Sequence, residues 1–225
     1  LKMKKTMDSL VSGDRVEITS TDPGFPRDAA AWCNSTGNQL ISKETAGGKS
    51  VVVIEKGEPK SCNIVTSCEG KGKTFIMFSD DLDKALATFV LANGAAATGQ
   101  KVTIFFTFWG LNVIKKLHKP NVEKDIFGKM FGMMLPSSSR KLKLSKMSMG
   151  GIGGKMMRYI MNRKGIDSLE SLRQQALENG VEFIACQMSM DVMGVKQEEL
   201  LDEVTIGGVA TYMERADNAN INLFI

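Results

Sequence analysis

Val181-Glu182-Phe183-Ile184-Ala185-Cys186-Gln187-Met188-Ser189-Met190-Asp191 decides how this chain folds. A short apolar run after Gly180 reads as a strand buried on both faces, and the polar residues after Cys186 end it. Two similar runs lie upstream, Thr74 to Phe78 and Val102 to Phe108, and a third closes the chain, Ile221 to Ile225. Between them stand helical stretches: Ala-rich Leu82 to Ala97, Leu169 to Glu178 stopped by Gly180, Glu198 to Leu201, and a last helix opened by Gly207-Gly208 and running through Arg215. Strands alternating with helices predict a parallel sheet with helices on both faces, a three-layer α/β domain over residues 73–225.

Ligands of an open parallel sheet bind outside the carboxyl ends of its strands. Here those ends are Ser79-Asp80, Trp109-Gly110, Cys186 with Ser189, and Gly207-Gly208. The expectation is one crevice holding one cysteine, with Ser79, Asp80, Trp109, Gly110, Ser189, Gly207 and Gly208 around it to hold an anion. A helix start after Cys186 would favour its thiolate, with Ser189 as the cap and Asp191 in the first turn. The alternative is an inert buried cysteine that merely ends a strand.

Upstream, residues 1–57 read as a separate two-layer α/β unit. Its order is a helix with Met3, Met7, Leu10 and Val11 on one face, a strand at Arg15–Ser20, a helix from Pro26 to Gly37, and strands at Gln39–Lys43 and Val51–Glu55 around Gly47-Gly48. The chain opens at Leu1 in what reads as the body of a helix, which predicts a truncated unit. Polar Glu58 to Gly72 reads as a linker. Cys33 sits on an apolar helix face and is expected to pack; Cys62 and Cys68 fall in the linker.

Residues 126–166 form an insert with no acidic residue, nine basic ones (Lys129, Arg140, Lys141, Lys143, Lys146, Lys155, Arg158, Arg163 and Lys164) and eight of the 15 methionines. Taking nine positive charges from the chain's +4 leaves −5 for the remainder. Such an insert suits a membrane surface, a partner groove or an anionic ligand. The favoured expectation is a mobile lid that packs its methionines on the domain and leaves its lysines solvated.

Four unevenly spaced cysteines without a CxxC pair, and one histidine with no cysteine near it, argue against a disulfide framework and against zinc. A charge of +4 is too mild to imply nucleic acid. No apolar run approaches the roughly 18 residues of a membrane span, and no leader is apparent, so a cytoplasmic location is expected.

The first unit resembles the TusA-like (SirA-like) sulfur-carrier family. The resemblance is carried by Leu1-Lys2-Met3-Lys4-Lys5-Thr6-Met7, Gly13-Asp14, and Asp22-Pro23-Gly24-Phe25-Pro26-Arg27-Asp28 leading to Trp32-Cys33. In that family a Cys-Pro-x-Pro motif at the first helix carries the persulfide, and this sequence starts just beyond that point. Residues 73–225 resemble the DsrE-like family through Phe75-Ile76-Met77-Phe78-Ser79-Asp80, Thr107-Phe108-Trp109-Gly110-Leu111, Ala185-Cys186-Gln187-Met188-Ser189-Met190-Asp191-Val192-Met193-Gly194 and Ile206-Gly207-Gly208-Val209-Ala210. The resemblance implies that Cys186 accepts sulfur from a persulfide-carrying protein or a low-molecular-weight persulfide. Units in this order look like the tail of bacterial-type fused pyridine nucleotide-disulfide oxidoreductases related to coenzyme A-disulfide reductases. That implies upstream domains holding FAD and NAD(P)H, with no cofactor in this chain, and allows a homo-oligomer. Two rival readings stand beside this one: a non-catalytic module whose insert docks a membrane or partner, and part of a coenzyme A-disulfide or persulfide reductase.

Overall fold

A computed structural model describes residues 2–21, 25–57, 72–118, 120, 122, 124 and 126–225. The expected linker and its Cys62 and Cys68 lie outside the described residues, apart from Gly72 at its end. The chain divides into two compact units: Leu1–Glu69 with Ala97–Gly99, and the remainder.

The first unit runs α1 (Lys2–Asp8), β1 (Arg15–Ser20), α2 (Phe25–Thr36), β2 (Gln39–Ala46) and β3 (Lys49–Glu55). The strands form an antiparallel sheet in the order β1-β3-β2. Alternation along β3 turns Ser50, Val52 and Ile54 inward. Val52 and Ile54 meet Met7 of α1 and Ala29 and Cys33 of α2 in one buried cluster, so Cys33 packs as expected. β2 continues three residues past its expected end, because Gly47 and Gly48, at φ +58° and +73°, supply the tight hairpin that lets the two strands pair to their tips.

The second unit contains β4 (Gly72–Met77), α3 (Leu82–Ala97), β5 (Val102–Phe106), α4 (Ile126–Met134), α5 (Ile152–Arg163), α6 (Leu169–Glu178), β6 (Glu182–Cys186), α7 (Gln187–Met193), β7 (Thr205–Gly207), α8 (Val209–Asp217) and β8 (Ala219–Phe224). All five strands are parallel, in the order β7-β6-β5-β4-β8. The predicted parallel-sheet α/β fold is the observed one. β7 was not anticipated; three residues ending in a glycine carry too little alternation to mark a strand.

Alternate residues of each strand serve different layers. Phe75, Met77, Ile104, Phe106, Phe183 and Ala185 face the main core under α3 and α6. There Phe89, Phe106 and Phe183 stack with ring centroids 5.3–6.4 Å apart. Phe105, Ile184 and Cys186 face the opposite side and meet Tyr212 of α8.

β5 ends two residues earlier than its apolar run. Thr107 leads into a 3-10 turn over Phe108–Ile114, and Phe108 takes a left-handed φ of +46°. Gly110 in that turn donates its N–H to Phe78 O at 2.8 Å. A Cβ there would stand 1.9 Å from Met77 O, so no other residue fits without moving the backbone.

The insert packs into this unit through its leucines and through hydrogen bonds to α3. Leu135, Leu142 and Leu144 enter the main core, Leu82 N–H bonds to Lys143 O at 2.7 Å, and Ser145 is held by Asp83 through Oγ at 2.5 Å and N–H at 2.9 Å. Arg158 reaches Ser139 O at 2.9 Å and Glu170 at 3.3 Å. Met157 and Met161 pack on the domain as expected, but the other six methionines, Met130, Met133, Met134, Met147, Met149 and Met156, are exposed.

Two glycines separate packing from propensity. A Cβ on Gly94, inside α3, would touch nothing within 4 Å. Gly94→Ala is therefore expected to stabilise by about 0.5–1 kcal/mol. Gly110→Ala is expected to destabilise by about 1–3 kcal/mol. Urea unfolding of both variants against the parent measures the two signs.

Candidate functional site

Cys186 is the last residue of β6 and pairs with Gly207 across the ladder to β7. The chain departs from these two neighbouring ends in opposite directions. α7 follows Cys186 onto the main-core side, where Met190 and Met193 are buried. α8 follows Gly207-Gly208 onto the other side. Adjacent strands whose connections diverge to opposite faces define the place where open parallel sheets bind ligands. Cys186 stands at that point.

Its sulfur is nonetheless covered. Cys186 is 2% exposed, among Phe105, Ile184 and Tyr212, under α8. The expectation of an open crevice needs correction: the cysteine is at the right edge but sealed by a helix. Met188 (55% exposed) and Val209 (64%) begin the two diverging helices and give that edge an apolar rim. Gly207 has no room for a side chain, since a Cβ would meet Ile184 Cγ2 at 2.9 Å and Thr211 Cβ at 3.2 Å. Glycine here lets the start of α8 settle onto the strand ends. Gly208 is the residue before α8 and is open to solvent.

Two clamps hold α8 down. The Tyr212 hydroxyl lies 3.2 Å from Thr74 Oγ1 on β4. Arg215 grips Glu182 of β6 through Nε at 2.9 Å and Nη2 at 3.2 Å, and Thr103 Oγ1 donates to the same carboxylate at 2.9 Å. The Arg215 hydrogen bond, with that from Thr103, holds Glu182 below the usual carboxylate range, and Glu182 raises Arg215. A carboxylate with a lowered folded pKa stabilises the fold above its unfolded pKa and loses that contribution as pH falls through the folded value. The clamp is therefore complete at neutral pH.

The remaining expected site residues are placed differently. α7 starts directly at Gln187, so Cys186 itself occupies the cap position and Ser189 lies inside the helix. Ser189 is fully buried, and its Oγ is 2.8 Å from Thr107 Oγ1, tying the β6 and β5 ends together. Asp191 falls beyond the first turn and accepts from Gln187 Nε2 at 2.9 Å. Ser79 and Asp80 form a separate polar group after β4, two strands from β6 and so about 10 Å across the sheet. Ser79 Oγ donates to Asp81 at 2.8 Å, and Lys84 pairs with Asp81 at 2.8 Å. Asn112 Nδ2 donates to Asp80 at 2.9 Å. Burial pushes the Asp80 carboxyl up, against the pull of Asn112 and Lys115. Trp109 is 42% exposed, beside Gly110. Sequence reading missed the roles of Thr107, Tyr212 and the Glu182–Arg215 pair, because each acts through a partner distant in the chain.

Of the other cysteines that are described, Cys33 is buried, and burial pushes its thiol up. Among the described residues no group of three or more His, Cys, Asp or Glu could hold a metal ion, and no helix is long and apolar enough to cross a membrane.

Loosening α8 is expected to uncover the thiol. Glu182→Gln keeps the shape and removes the charge of a partly exposed ion pair, so alkylation of Cys186 at neutral pH should quicken about fivefold. Peptide-resolved alkylation kinetics measure it; an unchanged rate would mean that α8 does not gate the sulfur.

Comparison with known proteins matches residues 70–224 to the DsrE/DsrF/DrsH-like family and residues 1–56 to the family described as Sulfurtransferase TusA. The chain is 44% identical over 155 residues to the "Uncharacterized protein YrkE" of Bacillus subtilis (strain 168), covering 69% of this chain and 97% of that protein. It is 38% identical over 161 residues to the "Sulfur carrier protein DsrE2" of Allochromatium vinosum, covering 70% and 99%. The first unit is 38% identical over 56 residues to the "Sulfur carrier protein TusA" of the same organism, covering 25% of this chain and 74% of that protein. The TusA-matching unit comes first, on the N-terminal side of the other.

Proposed function

This chain belongs to the DsrE/DsrF/DrsH-like family and carries a TusA unit ahead of that domain, and on this premise we propose that it is a sulfur-transfer module in which Cys186 accepts a sulfane sulfur and hands it on. The observation that carries the reading is the position of Cys186 at the divergence of β6 and β7, the place in the fold built to receive a ligand. The Cys186 thiolate attacks the outer sulfur of a donor persulfide. A new S–S bond forms at Cys186, the donor's own S–S bond breaks, and the donor leaves as a thiolate. Delivery repeats the step with an acceptor thiolate attacking the sulfur on Cys186. The sulfur keeps its oxidation state throughout, so neither step needs an oxidant, a reductant or a metal.

The donor is a persulfide-carrying protein or a low-molecular-weight persulfide. Flavin and nicotinamide chemistry, where it joins this module, belongs to upstream domains of a longer polypeptide. The cover over Cys186 fits a carrier. A terminal sulfur sealed under α8 is shielded from stray thiols, and transfer waits for the helix start to lift. The apolar rim of Met188 and Val209 is where a partner would press to lift it.

With Cys62→Ser and Cys68→Ser as background, exposure to glutathione persulfide should add about 32 mass units, one sulfur, to the protein. Adding Cys186→Ser should abolish the gain, since Cys33 lies on α2 in the core of its own unit, away from any strand end, and burial pushes its thiol up. Sulfur uptake at the parental rate without Cys186 would overturn the assignment.

A further inference from the structure

The insert faces solvent with a surface that the sulfur chemistry does not use. α5 packs on the domain through Gly153, Gly154, Met157 and Met161; a Cβ on Gly153 would stand 2.0 Å from Met147 O. Its outward side repeats at helical spacing: Ile152 (65% exposed), Met156 and Tyr159 (65%). Met147 and Met149 project beside the start of this helix, both exposed and both at left-handed φ, +57° and +42°. Non-glycine residues held in that conformation cost free energy, so the backbone here is set by something other than its own preference. Lys143, Lys146, Lys155, Arg163 and Lys164 are exposed along the same segment.

We infer that this face of the insert docks the protein on an anionic lipid surface. The charge is complementary: residues 126–166 carry nine basic and no acidic side chains, while the rest of the chain is net −5 once those nine are taken from +4. The distribution selects lipid over a protein partner. Lysine is depleted from the buried centres of protein interfaces, yet here Lys146 precedes Met147 and Lys155 stands between Ile152 and Met156. A bilayer surface accepts that mixture. Methionine, isoleucine and tyrosine enter the headgroup boundary while lysine stems lie along them and their ammonium groups reach phosphate. An isologous contact with a second copy would set the exposed Lys143, Lys146, Lys155, Arg163 and Lys164 against their own like charges. The mode is interfacial, since no described helix is long and apolar enough to span.

The inference is independent of the sulfur-transfer reading, and one experiment separates them. The full chain is mixed with phosphatidylcholine vesicles, with and without 30% phosphatidylglycerol, and sedimented across a salt series. The expected result is binding to the anionic vesicles that weakens as salt screens the contact, with little binding to the neutral ones. Lys143→Glu, Lys146→Glu and Lys155→Glu together should lower partition more than 100-fold, at about fivefold per charge removed and more for reversal. Met147→Ser with Met156→Ser should weaken it while keeping the salt dependence. Circular dichroism checks that each variant is folded, and sulfur loading of Cys186 should be unchanged in all of them. Absence of binding at low salt, equal binding to neutral and anionic vesicles, retained binding after the three reversals, or equal capture by polyglutamate would each overturn the lipid assignment.

Discussion

A single reversal in the order of the strands constrains everything around Cys186. From β4 to β5, β6 and β7 the chain steps one strand at a time in one direction, with α3, α6 and α7 on the main-core face. It then returns past three strands to place β8 beside β4. Reversing direction while keeping the handedness forces the connecting helix onto the other face. α8 is thus obliged to cross the layer toward which Ile184 and Cys186 point. The sealing of the cysteine, the glycine that lets α8 begin so close, and the clamps at Tyr212 and Arg215 follow from that single reversal.

This arrangement makes access a property of one nine-residue helix. The core under α3 and α6 is built from large aromatic and aliphatic side chains and has no reason to move. The layer under α8 is thin: four buried apolar residues, with Ile76 and Ala216 packed against them. Its hold on the sheet rests heavily on polar contacts near both ends of the helix. A device that must open for a donor and close over its sulfur is better placed on the thin layer, where local opening costs least.

The parallel sheet was legible because strands buried on both faces leave continuous apolar runs, and Val102–Phe106 and Glu182–Cys186 are such runs. Cys186 at a strand end was legible for the same reason. Its burial was not, since covering it depends on Tyr212, 26 positions further on, and on which way the last crossover turns. Ser189 misled because a serine ahead of an apolar stretch is the usual sign of a helix start. Its hydroxyl was already committed to Thr107, 82 residues earlier. In the insert, composition predicted an amphipathic segment but assigned its faces wrongly. Leucines went inward and six of the eight methionines outward, a choice that periodicity cannot make when both kinds are apolar.

The pairing of β4 with β8 also orders events in time. Lys73 Nζ bonds Asn220 Oδ1 across 147 residues, and Phe78 N–H bonds Ile225 O. On a ribosome adding about 5–20 residues per second, β4 would wait about 7–30 s for that neighbour to be made. For that interval one edge of β4 is an unpaired strand, open to pairing with another nascent chain. Translation speed between these two segments, rather than final stability, would then govern how much of the protein reaches its native sheet.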